Sequence, residues 1–243
     1  MPTIYLSPST QEFNPYVGGG NEEYYMNLIA DSMVPYLIAS GIQFVRNTPE
    51  MTAATSIAAS NSGNYDLHLA LHSNASGGTA GSVRGTEIFY YPQSADGKLF
   101  ADIAARNLKA IYPLPDRVKT VPTTSLGEVV RTRAPGVLIE FAYHDNPQDA
   151  QWIRDNIDAI AANVVLSLTE YFGIPFNTPQ PTYKATVSTM GGYLNMRYNP
   201  SLQSSIVGSI PNGATVTVVA NQPGWALVNY NGIVGYVSDS YIK

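Results

Sequence analysis

Residues 66–76, Asp-Leu-His-Leu-Ala-Leu-His-Ser-Asn-Ala-Ser, form an almost unbroken apolar run that stops abruptly in small polar residues. Gly63-Asn64 precedes it and Gly77-Gly78 follows. A run of this kind reads as a central strand buried on both faces, and such a strand needs neighbours at its edges and helices over it. His72 stands where the strand gives way to a loop, and open α/β sheets collect their chemistry at that end of their strands.

The rest of the first 173 residues supplies the neighbours. Thr3–Leu6 reads as a short strand running into the small polar turn 7–11, and Asn21 is a good N-cap. From Glu22 a helical stripe of Met26, Ala30, Met33 and Leu37 follows, with Pro35 implying a kink and Gly41 closing the helix. Ile42–Arg46 reads as an edge strand, 49–60 as a small-residue helix and Gly85–Tyr91 as a strand. Ala95–Ile111 reads as a helix with Leu99, Ile103, Leu108 and Ile111 inward. Residues 112–130 read as a surface loop, and Gly136–Phe141 as a second buried strand. Asn146-Pro147 caps one long helix over 148–172. Strands alternating with helices predict an α/β fold with a mostly parallel sheet flanked by helices.

Beyond residue 173 the pattern changes. Pro175, Pro179 and Pro181 mark an extended linker over 174–182. Residues 183–243 lose helical periodicity and show short β-rich runs punctuated by Asn212-Gly213 and Asn231-Gly232, strong hairpin signals that predict a small all-β barrel. The expected organisation is therefore 1–173, a linker, and 183–243.

Composition narrows the function. A net charge of −5 offers no basic footprint for nucleic acid, and no apolar run is long enough to span a bilayer. The chain opens directly on a strand, so no secretion signal is expected in it. Without cysteine, a metal must be held by His, Asp or Glu. Three such groups lie at plausible active ends. Glu23 lies in line with the first helix stripe and is expected to point inward, whereas Glu22 is expected on the surface as a dipole-stabilising residue. His72 and Glu140 close buried strands. A catalytic zinc site takes three protein ligands and an open position, with a separate carboxylate to move the proton. Glu23 and His72 as metal ligands and Glu140 as catalytic base would supply most of that set.

Several segments match one family in order. They are Glu23 with Asn27, Leu71-His72-Ser73-Asn74-Ala75, Gly85–Tyr91, and Val137-Leu138-Ile139-Glu140 followed by Asn146 and Asp149. On these, residues 1–173 resemble the zinc-dependent N-acetylmuramoyl-L-alanine amidases of the amidase-3 type, found among bacterial wall hydrolases, including autolysins, and phage endolysins. The resemblance implies Zn2+, hydrolysis of the amide between N-acetylmuramic acid and L-alanine in peptidoglycan, and action at the bacterial cell wall. It implies no protein partner. One departure stands out: the family's first metal histidine follows strand 1, and here that place reads Ser7-Pro8-Ser9-Thr10-Gln11. His144 lies in a loop that could approach the site as a substitute, whereas His68 is expected to be a hydrogen-bonded core residue. The missing histidine leaves open a second reading, a catalytically impaired wall-binding protein on the same scaffold. Leu194–Ser201, Gly224-Trp225-Ala226-Leu227-Val228 and Gly235-Tyr236-Val237 resemble a bacterial SH3 module, which implies wall binding.

Overall fold

The computed structural model describes all 243 residues. Backbone contacts divide the chain into two compact units, one of residues 3–34 and 44–172, the other of 1–2, 35–43 and 173–243. No helix is long and apolar enough to cross a membrane.

The larger unit is built on β1 (Thr3–Pro8), β2 (Gln43–Arg46), β3 (Leu67–Asn74), β4 (Thr86–Tyr90), β5 (Val118–Pro122) and β6 (Gly136–Tyr143), in the spatial order β2-β1-β3-β6-β4-β5. The run at 67–73 is buried throughout and lies at the centre, parallel to β1 on one side and to β6 on the other. β4 runs antiparallel to β6 and parallel to β5, so the sheet is mixed but mainly parallel. Its helices are α1 (Glu22–Ala39, whose residues from 35 on fall in the other unit), α2 (Ala53–Ser62), α3 (Ala95–Leu108), α4 (Gly127–Val130), α5 (Pro147–Asp155) and α6 (Ile157–Phe172). Met26, Ala30, Met33 and Leu37 of α1 are all fully buried, as their spacing requires. After α1, Gly41 takes a φ of +74° and its N–H bonds Ile38 O, while Ile42 N–H bonds Leu37 O. This left-handed closure uses the carbonyls that the helix end leaves free.

The structure departs from the sequence reading in three places. The stretch 112–130 is not a plain loop but holds β5 and α4. β5 is a short edge strand ending in Pro122, and α4 spans a single turn, too little chain for periodicity to show. The long helix over 148–172 is interrupted at Asn156, whose side chain donates to Trp152 O while its own carbonyl starts α6 by accepting from Ile160 N–H. In α3 the inward stripe is Phe100, Ala101, Ala104, Ala105 and Leu108, and Leu99 is half exposed.

The single turn of α4 is firmly seated. Val129 packs on Ala70 and Leu138 beneath it. The start of β6 passes so close that a Cβ on Gly136 would lie 2.6 Å from Glu128 O and 2.7 Å from Val129 O. Only glycine admits that approach.

The smaller unit is wholly antiparallel: β7 (Tyr183–Thr186), β8 (Tyr193–Arg197), β9 (Ile206–Pro211), β10 (Thr215–Gln222), β11 (Trp225–Tyr230) and β12 (Ile233–Ser238), in the order β7-β10-β11-β12-β8-β9. Val187, Met196, Ile210, Val216, Val218, Ala226, Val228 and Val237 form its core. Asn231 and Gly232 both have positive φ between β11 and β12, the backbone that a tight hairpin demands.

Beyond β6, the fully buried carboxylate of Asp149 ties three segments together. It accepts from Arg84 Nε at 2.7 Å, Tyr112 OH at 2.8 Å, and the N–H groups of Tyr143 and Gly85 at 3.1 and 3.2 Å. Asp149→Ala strands two buried backbone donors and unpairs Arg84. It should cost about 3 kcal/mol or more, read as a lower urea midpoint at unchanged slope.

Candidate active site

The register of the sheet builds the site. On β3, β6 and β4 the residues His72, Glu140 and Glu87 stand directly abreast, His72 opposite Glu140 and Glu140 opposite Glu87. Side chains abreast on neighbouring strands share a face. Near the ends of β3 and β6, then, one imidazole and two carboxyls form a row. Two further carboxyls close on the imidazole from outside the sheet. Glu22, at the first turn of α1, accepts from His72 Nδ1 at 2.8 Å. Glu128, on α4, accepts from His72 Nε2 at 3.3 Å.

Each of these groups is held differently. Glu22 is buried, and its second oxygen accepts from Asn14 Nδ2 at 2.7 Å. Burial opposes its charge, but the hydrogen bonds from His72 and Asn14 prevail and keep its pKa below the usual carboxylate value. Burial likewise works against a charged His72, yet its bonds to Glu128 and Glu22 raise its pKa well above that of an ordinary histidine. Burial also opposes the charge of Glu128, and the bonds from His68 and His72 bring it down to about 2. Glu87 is drawn aside by Lys119 Nζ at 2.8 Å and Asn74 Nδ2 at 3.1 Å. Glu140 has no such help. Its Oε2 is shielded from solvent without a hydrogen-bond partner, and burial, with Glu22 and Glu87 adding to it against His72, pushes its pKa up to about 8.

His72 and Glu140 are thus brought side by side, but Glu23 is not with them. Glu22 takes the inward position, while Glu23 lies towards solvent, where slight burial and the charges of Glu12 and Glu50 push its pKa up. The stripe did not separate the two. At about 100° per residue, each lies about 50° from the centre of the line through Met26, Ala30, Met33 and Leu37, one on either side. The fold decides between them: the chain before α1 is fixed by Glu22 N–H bonding Asn14 O, which aims the first helical residue at the end of β3.

His144 does not reach the site as a ligand, because its Nδ1 bonds Ser73 O at 2.9 Å and lies 3.2 Å from Ser73 Oγ. His68 is the hydrogen-bonded core histidine its position suggested, with Nε2 on Glu128 Oε1 and Nδ1 beside Ser60 Oγ. Glu128 went unseen in the sequence. Its one signal is an acid set between Gly127 and two valines in what otherwise reads as a loop.

The fold and this site define an α/β domain with a carboxylate–histidine site on its sheet, and a separate antiparallel β unit. The N-acetylmuramoyl-L-alanine amidase family model matches residues 12–170, and a bacterial SH3 domain model matches residues 192–243. The chain belongs to the N-acetylmuramoyl-L-alanine amidase family. Solved structures agree in fold. The amidase AmiC2 of Nostoc punctiforme is 16% identical with a TM-score of 0.62, over 71% of this chain and 97% of that one. An N-acetylmuramoyl-L-alanine amidase from Clostridium difficile 630 is 17% identical with a TM-score of 0.63, over 71% and 97%. The catalytic domain of the CD27L endolysin targeting Clostridia difficile is 20% identical with a TM-score of 0.58, over 70% and 98%. The curated protein YrvJ of Bacillus subtilis (strain 168) is 23% identical over 95 residues, and the match spans 39% of this chain but only 18% of YrvJ.

A catalytic zinc site takes three protein donors. Here Nδ1 of His72 faces Glu22 and, at 3.3 Å, the neutral side-chain amide of Gln11, while Nε2 faces Glu128. One imidazole nitrogen binds one ion, so carboxylates on opposite ring nitrogens cannot both join His72 on the same metal. No group of three or more His, Asp or Glu side chains is arranged to hold an ion. The residues present therefore do not complete a zinc centre of three strong donors. The family match begins at residue 12, just past the segment 7–11, which carries no histidine.

The Glu22–His72 pair has a measurable signature. Glu22→Gln should lower the His72 pKa by about one unit or more, followed by NMR titration, and Glu23→Gln should leave it unchanged. Since the folded chain binds that proton more tightly than the unfolded one, the pair's stabilisation is full below about pH 6.5 and falls as pH rises through the folded His72 value.

Proposed function

We propose that this chain hydrolyses the amide between the lactyl group of N-acetylmuramic acid and the L-alanine of the peptidoglycan stem peptide, acting at the bacterial cell wall. The observation that carries this reading is Glu140, a shielded carboxyl with one unpartnered oxygen in the middle of the row His72, Glu140, Glu87. With its pKa near 8, Glu140 exchanges a proton readily around neutrality. Ionised, it accepts a proton from the attacking water as the water oxygen bonds the amide carbon. It then passes that proton to the alanine nitrogen as the C–N bond breaks, leaving a lactyl carboxylate and a free L-alanine amine. His72, held charged between Glu22 and Glu128, places a positive group beside Glu140 and the developing oxyanion. The SH3-like unit would retain the chain on the wall, so peptidoglycan is both substrate and anchor.

For the metal, the same donors support only a weak site, because the charged His72 must first give up a ring proton to bind an ion. Glu22 and His72 with a neutral amide predict zinc affinity several orders of magnitude below that of a three-ligand centre. Calorimetric titration should find a dissociation constant in the micromolar range or weaker that Glu22→Gln weakens further. A nanomolar constant indifferent to that substitution would place the ion elsewhere.

Release of new L-alanine N-termini from purified wall tests the reaction. It should rise with pH and level off above about pH 8 as Glu140 loses its proton. Glu140→Gln should lower kcat by about 10²–10⁴-fold. The same substitution should stabilise the fold. The folded chain holds the Glu140 proton between about pH 4.5 and pH 8 while the unfolded chain releases it, so stability drains across that window. At about pH 7.5 Glu140→Gln should raise Tm by roughly 4 °C. Wall retention without any release of L-alanine termini would instead leave a binding protein.

A further inference from the structure

We propose that Glu128 is the positioning residue of this site: its carboxylate, gripped between two histidines, turns the His72 ring so that Nδ1 is presented to Glu22 and Gln11. Glu128 Oε1 takes His68 Nε2 at 3.2 Å and Oε2 takes His72 Nε2 at 3.3 Å. The hydroxyl of Ser7 also donates to Oε1, and Ser7 is itself bound by Ser56 and by Asn47 Nδ2. Ser7, Ser56 and Asn47 are all buried, so the carboxylate has a fixed polar seat rather than a mobile surface partner. The backbone beneath it is fixed as well, by the packing of Val129 and the close approach of Gly136.

A cavity of about 460 Å³ opens beside His72, lined among others by Ser9, Gln11, Met51, Ser56 and Glu128. An imidazole facing such a space can rotate about its Cα–Cβ and Cβ–Cγ bonds unless a hydrogen bond stops it. Glu128 on Nε2 and Glu22 on Nδ1 together supply that stop. Glu128 also occupies Nε2, which leaves Nδ1 to Glu22 and Gln11. A carboxylate behind a histidine fixes ring orientation in this way in many sites, and its loss commonly costs 10- to 100-fold in function.

The kinetic arm of the test rests on the amidase reading; the spectroscopic arm does not. Full-length Glu128→Ala, Glu128→Gln and wild type are compared by 15N-resolved NMR of the His72 ring, with wall hydrolysis alongside. Glu128→Ala should abolish the hydrogen-bonded Nε2–H signal and give more than one ring orientation, with kcat down about 10- to 100-fold and KM nearly unchanged. Glu128→Gln, which keeps an acceptor oxygen, should recover part of both. Leu108→Ala, at a fully buried position on α3, controls for packing. It should lower Tm while leaving the His72 signal and kcat as in wild type. An unchanged His72 ring in folded Glu128→Ala would overturn the proposal, and so would an equal loss of the signal in Leu108→Ala. If wild type shows no hydrolysis, the amidase reading fails, and the ring signal still decides the role of Glu128.

Discussion

The parallel pairing of β3 with β6 is the constraint on which the rest depends. Their register sets His72 against Glu140, and β4, laid antiparallel on the far side of β6, adds Glu87 to the same row. A slip of one residue in any of these pairings would send a member of the row to the opposite face. The buried apolar residues of both strands guard against this: Leu67, Leu69 and Leu71 alternate with His68, Ala70 and His72, and the β6 residues Val137, Ile139 and Phe141 are equally buried. The hydrophobic pattern thus fixes the geometry of the polar groups that interrupt it.

Around His72 the electrostatics divide labour among similar side chains. Three glutamates lie within reach of one imidazole, yet they do not share one protonation state. Glu22 and Glu128 bond the ring directly and are held ionised, while Glu140, with no donor on its Oε2, retains its proton up to about pH 8. Buried charges are tolerated only where partners compensate for lost water. Here the imidazolium compensates two carboxylates, and the third is left poised to gain or lose a proton. Environments that push like groups apart in this way are the pattern expected of an acid–base residue and its supports.

The departure from the family at residues 7–11 and the presence of Glu128 belong to the same region. Ser7, at the end of β1, is the residue whose hydroxyl anchors Glu128, and Gln11 lies beside His72 Nδ1. Where a third strong metal donor would be required, this chain has a neutral amide. On the other side of the ring it has a fixed carboxylate. The site is therefore organised around His72, with a carboxylate on each ring nitrogen.

Much of this was legible without coordinates. The run at 67–73 announced a central strand, the apolar stretch before Glu140 announced its neighbour, and Asn-Gly pairs announced the hairpins of the second unit, because burial and turn geometry act on adjacent residues. The chain order of motifs carried the family as well. The choice of Glu22 over Glu23 was not legible, since both flank the helix stripe at equal angles and only the loop bonded through Asn14 and Glu22 orients the first turn. Nor was Glu128, because a one-turn helix has no period to read and its partners lie about 60 and 120 residues away in the chain. Local sequence determined which strands and helices form and which face of each is apolar. Which carboxylates meet His72, and in what charge state, depended on contacts between distant segments, and only the tertiary structure decided it.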